Sequence, residues 1–267
     1  PRSQQQDETW WYRLSLDEKW TADDIPDLTG KIAIVTGANS GIGFAATLAL
    51  ARKRAHVIMA CRNLKKAEEA LAKIREKIPD ASLEIIRLDL ADLSSVRNFA
   101  QEFKNKHQPL HILLNNAGIM VPPKLKTVDG FELQFGINHL GHFALTGLLM
   151  ERIMNTEGSR VVTMSSSEHT SGKINFNDLQ GDQSYNRHGA YAQSKLANLL
   201  FAYELHRRLR TAGSHVLSVA SHPGSARTNL FTTGLGMSSG GGMMKQIASS
   251  MTRMILYPVL ILLIPLM

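Results

Sequence analysis

The chain has 267 residues, 43% of them hydrophobic, enough apolar surface for one well-buried α/β domain. Its formal charge of +7 invites a nucleic-acid reading, but the basic residues (Arg52-Lys53-Arg54, Lys65-Lys66, Arg207-Arg208) are spread over several predicted helices and mostly interleaved with acids, so no nucleic-acid partner is expected. One cysteine, Cys61, excludes internal disulfides and fits a reducing compartment, cytoplasmic or on the cytosolic face of a membrane; no metal site is expected.

Residues 1–29 read as a polar N-terminal extension without a visible signal peptide, and no chemistry is assigned to them. The main domain, 30–232, opens with the β-branched run Lys31–Val35. Thr36-Gly37-Ala38-Asn39-Ser40-Gly41-Ile42-Gly43 follows, and then an Ala/Leu-rich helix from Phe44 to about Ala51. A strand, a tight glycine turn and a helix N-terminus together make an anion site, because backbone N–H groups converge there and the helix dipole favours a phosphate. Gly37 permits the turn, Gly41 lets a pyrophosphate approach, and Gly43 allows helix to pack on strand. The spacing is Gly-x3-Gly-x-Gly in the required strand-before, helix-after context.

The alternation then continues. Strands are expected at His56–Cys61, Leu83–Leu88, Leu110–Leu114, Arg160–Met164 and His215–Ala220, each a nearly continuous apolar run suited to a parallel strand covered on both faces. Between them lie helical patterns at Leu64–Ile78 and at Asp92–Lys106, where Val96, Phe99, Ala100 and Phe103 share one face. This predicts an α/β fold, a single doubly wound parallel sheet with helices on both faces and ligands at the carboxyl ends of its strands. The strand ends therefore nominate Gly37 to Gly43, Arg62, Asp89, Asn115 to Gly118, Ser165 to Ser167 and His222 to Gly224. Asp89, followed by Asp92, has two readings: a site residue, or turn and cap chemistry.

Tyr191 and Lys195, in Tyr-Ala-Gln-Ser-Lys, lie four residues apart on a predicted helix and so project from one face. A nearby ammonium favours phenolate, so the phenol is expected below its ordinary pKa, usable as proton donor and acceptor near neutral pH.

Thr36-Gly37-x3-Gly41-x-Gly43, Asn115-Asn116-Ala117-Gly118, Asn138, Ser165-Ser166, Tyr191-x3-Lys195 and Pro223-Gly224-x3-Thr228 occur in this order over about residues 30–230. In this the chain resembles the short-chain dehydrogenase/reductase family, whose fold is of the Rossmann type. The resemblance implies that Tyr191 is the general acid in carbonyl reduction and the base in alcohol oxidation. Lys195 would lower the pKa of Tyr191 and hold the nicotinamide ribose. Ser166, in preference to Ser165, would hydrogen-bond the substrate oxygen, and Asn138 would hold a water linking Lys195 to solvent. Cofactor contacts are implied for Gly37, Asn39, Ser40, Gly41, Ile42, Gly43, Asp89 and Leu90. Asn116, Ala117 and Gly118 would border the adenosine ribose, and Pro223, Gly224 and Thr228 the nicotinamide. The family likeness also implies a homodimer or tetramer through the helices following Asn138 and Tyr191.

An NAD-selective site needs a carboxylate at the end of the second strand. Here that strand ends Ala60-Cys61-Arg62-Asn63, and the Arg62 guanidinium suits a 2′-phosphate instead, so NADP(H) is the expected cofactor. The segment between Ser166 and Tyr191 is longer than the family's usual one. With Ser194-Lys195-Leu196-Ala197-Asn198, it is similar to the retinol dehydrogenase, WW-domain oxidoreductase and protochlorophyllide reductase branch, whose members handle large lipophilic carbonyls or alcohols. A protochlorophyllide reductase is disfavoured, since Cys61 falls at the adenosine end. Ile174, Phe176 and Leu179 are either apolar substrate contacts or anchors of the loop.

Residues 233–267 combine a Gly/Ser/Met-rich stretch with the apolar run Met254–Met267, which is short of the roughly 20 residues that span a bilayer. Three readings apply: a truncated lid, a peripheral membrane contact, or a segment whose partners are missing. The function expected is NADP(H)-dependent hydride transfer to or from a lipophilic carbonyl or alcohol. The alternative is a catalytically silent NADP-binding scaffold or sensor, against which the presence of Asn138, Ser166, Tyr191 and Lys195 argues.

Overall fold

The β-branched and apolar runs form the strands of one sheet. In the computed structural model, which describes residues 21–223, these are β1 (Ile32–Thr36), β2 (His56–Cys61), β3 (Leu83–Arg87), β4 (Ile112–Asn115), β5 (Arg160–Met164) and β6 (Leu217–Ser221). All pair in parallel, in the order β3-β2-β1-β4-β5-β6. That order reverses direction between β1 and β4, the crevice where a doubly wound sheet binds its ligand.

Alternation along each strand sends side chains to two cores. Ala33, Val35, Val57 and Met59 meet Ala46, Ala49 and Leu50 of α1 (Gly41–Arg52) and Ala67, Ala70 and Ile74 of α2 (Leu64–Arg75). On the other face Ile34, Ile58, Ile86 and Leu113 meet Val96, Phe99, Ala100 and Phe103 of α3 (Leu93–Lys106), with Leu145, Leu149 and Ile153 of α5. Each fully buried Val, Ile, Leu, Met or Phe side chain among these contributes about 1.5–3 kcal/mol. The helices are α1 to α3, a short α4 (Leu133–Phe135) running through a π turn (Gly136–Leu140) into α5 (Gly141–Met154), and α6 (Arg187–Thr211).

Where boundaries differ from expectation, local chemistry accounts for it. The first helix starts at Gly41, not Phe44, because the glycines themselves form its opening turn. α2 ends at Arg75 ahead of Pro79, whose ring disfavours helical backbone at the residue before it. Asp92 is the N-cap of α3, accepting from the N–H groups of Ser94 (2.8 Å) and Ser95 (3.3 Å), so its role is the capping one. Residues 1–20, together with Gly224, Thr228 and the segment 233–267, lie outside the described residues. Among the described residues no helix is long and apolar enough to cross a membrane.

Candidate active site

The glycine turn is held by its neighbours on β4. Gly37 has φ +68° and its N–H donates to the Ala60 carbonyl (2.9 Å), binding the turn to the end of β2. A Cβ on Gly43 would fall 2.3 Å from the Gly37 carbonyl oxygen and 2.6 Å from the Asn116 amide nitrogen, so only glycine lets α1 approach this closely. Asn116 Nδ2 donates to the Thr36 carbonyl (2.8 Å), and the N–H groups of Asn116 and Ala117 donate to the Thr36 hydroxyl (2.9 Å each). Ser40, the N-cap of α1, makes no side-chain cap bond, which leaves the first N–H groups of the helix available to an anion. Asn39 and Ile42 complete the turn, and burial pushes the Cys61 thiol up to about 11, opposed by the backbone N–H groups of Ala38 and Asn39 beside it. Cys61 thus supports the turn, a contact that sequence reasoning noticed only as proximity.

The remaining strand ends divide in two. Arg62 is exposed just past β2 and, among the described residues, makes no hydrogen bond or ion pair. Asp89 turns one carboxylate oxygen onto the Ala91 N–H (3.0 Å), while the side chain of Leu90 is buried against Gly141. Both residues shape the turn after β3 through these contacts. Pro223, the last described residue, follows β6.

α6 supplies the reactive side chains. Asn186 caps it by accepting from the Gly189 N–H (2.8 Å), and Tyr191, Ser194, Lys195 and Asn198 are all buried along it. Lys195 Nζ lies 5.7 Å from the Tyr191 ring centroid and donates to the Met164 carbonyl (3.2 Å), its one hydrogen bond among the described residues. An ammonium has three donors, so a buried one with a single acceptor fits the hydroxyls of a ribose. Burial lowers its pKa to about 8. The Ser166 hydroxyl lies close enough to the Tyr191 phenol to favour its phenolate, whereas the Ser165 hydroxyl turns away and donates to the Lys195 carbonyl (2.8 Å).

One expectation needs correction here. The Tyr191 phenol is held above its ordinary value, not below it: burial outweighs the opposing pull of the nearby Ser166 hydroxyl, and the Glu168 carboxylate pushes the same way as burial. Lys195 is not among the groups that set this shift. The Asn138 amide donates to the Ile119 carbonyl and the Ser194 hydroxyl (3.0 Å each), while its Oδ1 accepts from the Ile119 N–H (2.8 Å). The π turn carries Asn138 into this position, and its amide clasps the loop after β4 to α6. Gly118 lies between them, since a Cβ there would come 3.1 Å from Asn138 Oδ1 and 3.6 Å from Lys195 Nζ.

Sequence reasoning gave no role to Ser194 or His142. Ser194 joins Asn138 to the Tyr191 carbonyl, to which its hydroxyl donates (2.7 Å). His142 stands between the Asn138 carbonyl (3.0 Å) and the Thr36 hydroxyl (2.9 Å). A lone histidine in an apolar helix carries no signal of either contact.

The model of the family described as short chain dehydrogenase matches residues 31–234. This chain belongs to that family. Among curated relatives, retinol dehydrogenase 12 of Mus musculus is 49% identical over 197 residues, covering 74% of this chain and 62% of the relative. Polyprenol dehydrogenase of Homo sapiens is 45% identical over 210 residues, 77% of this chain and 64% of its own length. This short-chain dehydrogenase chain therefore spans somewhat under two thirds of the length of these relatives. Among solved structures, a short chain dehydrogenase from Shigella flexneri complexed with NADP superposes with a TM-score of 0.63 at 25% identity, covering 79% of this chain and 84% of that one. The retinol dehydrogenase-like branch expected from the segment before Tyr191 agrees with these relatives.

Proposed function

We propose that the chain is an NADP(H)-dependent oxidoreductase that interconverts a lipophilic alcohol and its carbonyl compound. The observation that carries this reading is the burial of Tyr191, near the Ser166 hydroxyl and beside Lys195, at the sheet edge that also carries the glycine turn. The nicotinamide, when bound, supplies or accepts the hydride. Ser166 and Tyr191 hold the substrate oxygen from one side. With its pKa raised, Tyr191 rests as the neutral phenol, the form that gives a proton to a carbonyl oxygen as negative charge develops there. In the reverse direction the phenol first gives up its proton to solvent, and the phenolate oxygen then takes the alcohol's proton as hydride leaves for the nicotinamide. The two free N–H groups of Lys195 hold the ribose, and the clasp through Asn138 and Ser194 positions the loop around Gly118 against them.

Gly37, Asn39, Ser40, Gly41, Ile42 and Gly43 would cradle the pyrophosphate. Arg62, free of protein partners among the described residues, would meet the 2′-phosphate, and the relative solved with NADP supports this choice. The substrate class rests on the names of the two curated relatives, one a retinol and one a polyprenol dehydrogenase, and on the exposed Phe176 ring in the segment between Ser166 and Tyr191. Exposed Phe143 on α5 and exposed Leu200 and Tyr203 on α6 suit the expected homodimer or tetramer.

The test is a panel of retinoids, polyprenols and aliphatic aldehydes followed by NADPH absorbance. Tyr191→Phe should lower kcat by about 100-fold or more, the ordinary contribution of a general acid. Turnover unchanged by that substitution would refute the reading. A silent binder would bind NADP(H) and turn over nothing in the panel.

A further inference from the structure

At the amino edge of the sheet, opposite the glycine turn, three ligand-bearing side chains converge. In the β2–β3 pairing Ile58 is opposite Glu84 and Val57 opposite Leu83, so His56 and Glu84 project to the face covered by α3. His107 is the C-cap of α3, its N–H donating to the Phe103 carbonyl (2.8 Å) and its ring 5.1 Å from that of Phe103. The sheet register and a packed helix end thus fix all three residues, as a preorganised site requires.

Their donor atoms are close and correctly disposed. Glu84 Oε2 lies 3.0 Å from His107 Nε2 and 3.6 Å from His56 Nε2, and all three ligand atoms fall within 4.8 Å of one another. Bonds of about 2.0–2.1 Å around a tetrahedral zinc place neighbouring ligands about 3.3 Å apart. The two short separations lie on either side of that value. His56 Nε2 is buried and has no hydrogen-bond partner among the described residues, while its Nδ1 sits 2.7 Å from the Ser82 hydroxyl. With Nδ1–H donating to Ser82, the lone pair is on Nε2 and aims into the cluster, as an outer partner does for a metal-bound imidazole. Glu84 gives its other oxygen to Lys106 Nζ (2.9 Å), and Lys106 also holds Glu102 (2.7 Å), so one carboxylate oxygen can turn to an ion without stranding the ammonium.

We propose that His56 Nε2, His107 Nε2 and Glu84 Oε2 form a binding site for a divalent cation of the zinc class. Two imidazoles and one carboxylate are the donor set such a borderline ion takes, and three protein ligands leave a fourth position to water. The side chains are 15–26% exposed, enough for an ion to enter. Bound there, the cation ties β2, β3 and the end of α3 together, a structural staple remote from Tyr191. Positions 56, 84 and 107 have no short ligand spacing, which is why the sequence gives no sign of a metal.

The experiment uses chelator-treated protein of the full 267-residue sequence. Zinc binding is measured by competition with a chromophoric chelator, and cobalt binding by visible absorption. One equivalent should bind, the cobalt form should show the intense bands of a tetrahedral site, and zinc should raise the melting temperature. His56→Ala, His107→Ala and Glu84→Gln should each weaken zinc at least tenfold and abolish the thermal shift. His188→Ala, which alters an exposed histidine away from the cluster, should change neither. Far-UV circular dichroism without metal separates lost ligation from lost fold. Glu84→Gln keeps the shape and an acceptor for Lys106, so it reads ligation even if an alanine variant unfolds. Zinc binding that persists in Glu84→Gln and in a folded histidine variant, or binding no tighter than to exposed histidines elsewhere, overturns the proposal.

Discussion

The Thr36 hydroxyl accepts from the N–H groups of Asn116 and Ala117 and faces His142 Nε2. The tautomer follows: the Asn138 carbonyl can only accept, so His142 Nδ1 carries the proton, and Thr36 donates to Nε2. One neutral imidazole therefore joins the end of β1 to the π turn that positions Asn138. His142→Phe should destabilise the protein by about 1–3 kcal/mol in urea unfolding, because it removes two buried hydrogen bonds. Burial lowers the His142 pKa to about 4, so between pH 6.5 and 4 the unfolded chain takes up a proton that the folded one refuses. Stability is lost as pH falls through that window, and the loss should be smaller in His142→Phe. Lys195 acts in the alkaline range. With its folded pKa near 8 and its unfolded pKa near 10.5, the unfolded state holds more protons between these values, so stability should rise with pH there, and Lys195→Met should flatten the rise in urea midpoints. The spacing of Tyr191 and Lys195 was legible in the sequence. The direction of the Tyr191 shift was not, because spacing reports proximity and says nothing of depth.

Among the elements, α6 and the segment before it depend on a close crossing. A Cβ on Gly172 would lie 2.6 Å from the Ala192 carbonyl oxygen, and Gln193 holds the segment by accepting from the Asn175 N–H (2.9 Å) and donating to the Leu179 carbonyl (3.1 Å). Backbone atoms cannot yield as a flexible side chain does. Gly172→Ala should therefore cost about 1–3 kcal/mol, measured by urea unfolding, and raise KM more than it lowers kcat, since the segment shifts while Tyr191 keeps its helix. Of the two sequence readings of Ile174, Phe176 and Leu179, the anchoring bonds belong to backbone at 175 and 179, and Phe176 is left exposed. Strand and helix identities were legible because apolar runs and helical periodicity are local. The π turn was not, because it arises where Gly136 and Gly141 press against Thr127 and Leu90, contacts distant in sequence.

At the scale of the molecule, βαβ alternation was enough to foresee a parallel doubly wound sheet, since crossover helices leave few other arrangements. Strand order was not foreseen, because sequence alternation does not say where the winding reverses. If the glycine turn and Arg62 hold NADP(H), then NADPH at a hundred times its Kd should stabilise the fold by about 2.7 kcal/mol in a thermal or urea transition. NADH at the same concentration should stabilise it less, and Arg62→Ala should narrow the difference. Equal effects of both nucleotides would remove the argument from Arg62.

The sealed ammonium of Lys195 also implies a sequence of arrivals. Two N–H bonds buried without acceptors among the described residues gain them when ribose hydroxyls come alongside, so under the proposed function the dinucleotide completes the site. An alcohol or aldehyde entering first would meet a cation with nothing to complete it. Steady-state turnover should then follow a compulsory order, nucleotide on first and off last, visible as nucleotide product competing only against nucleotide substrate.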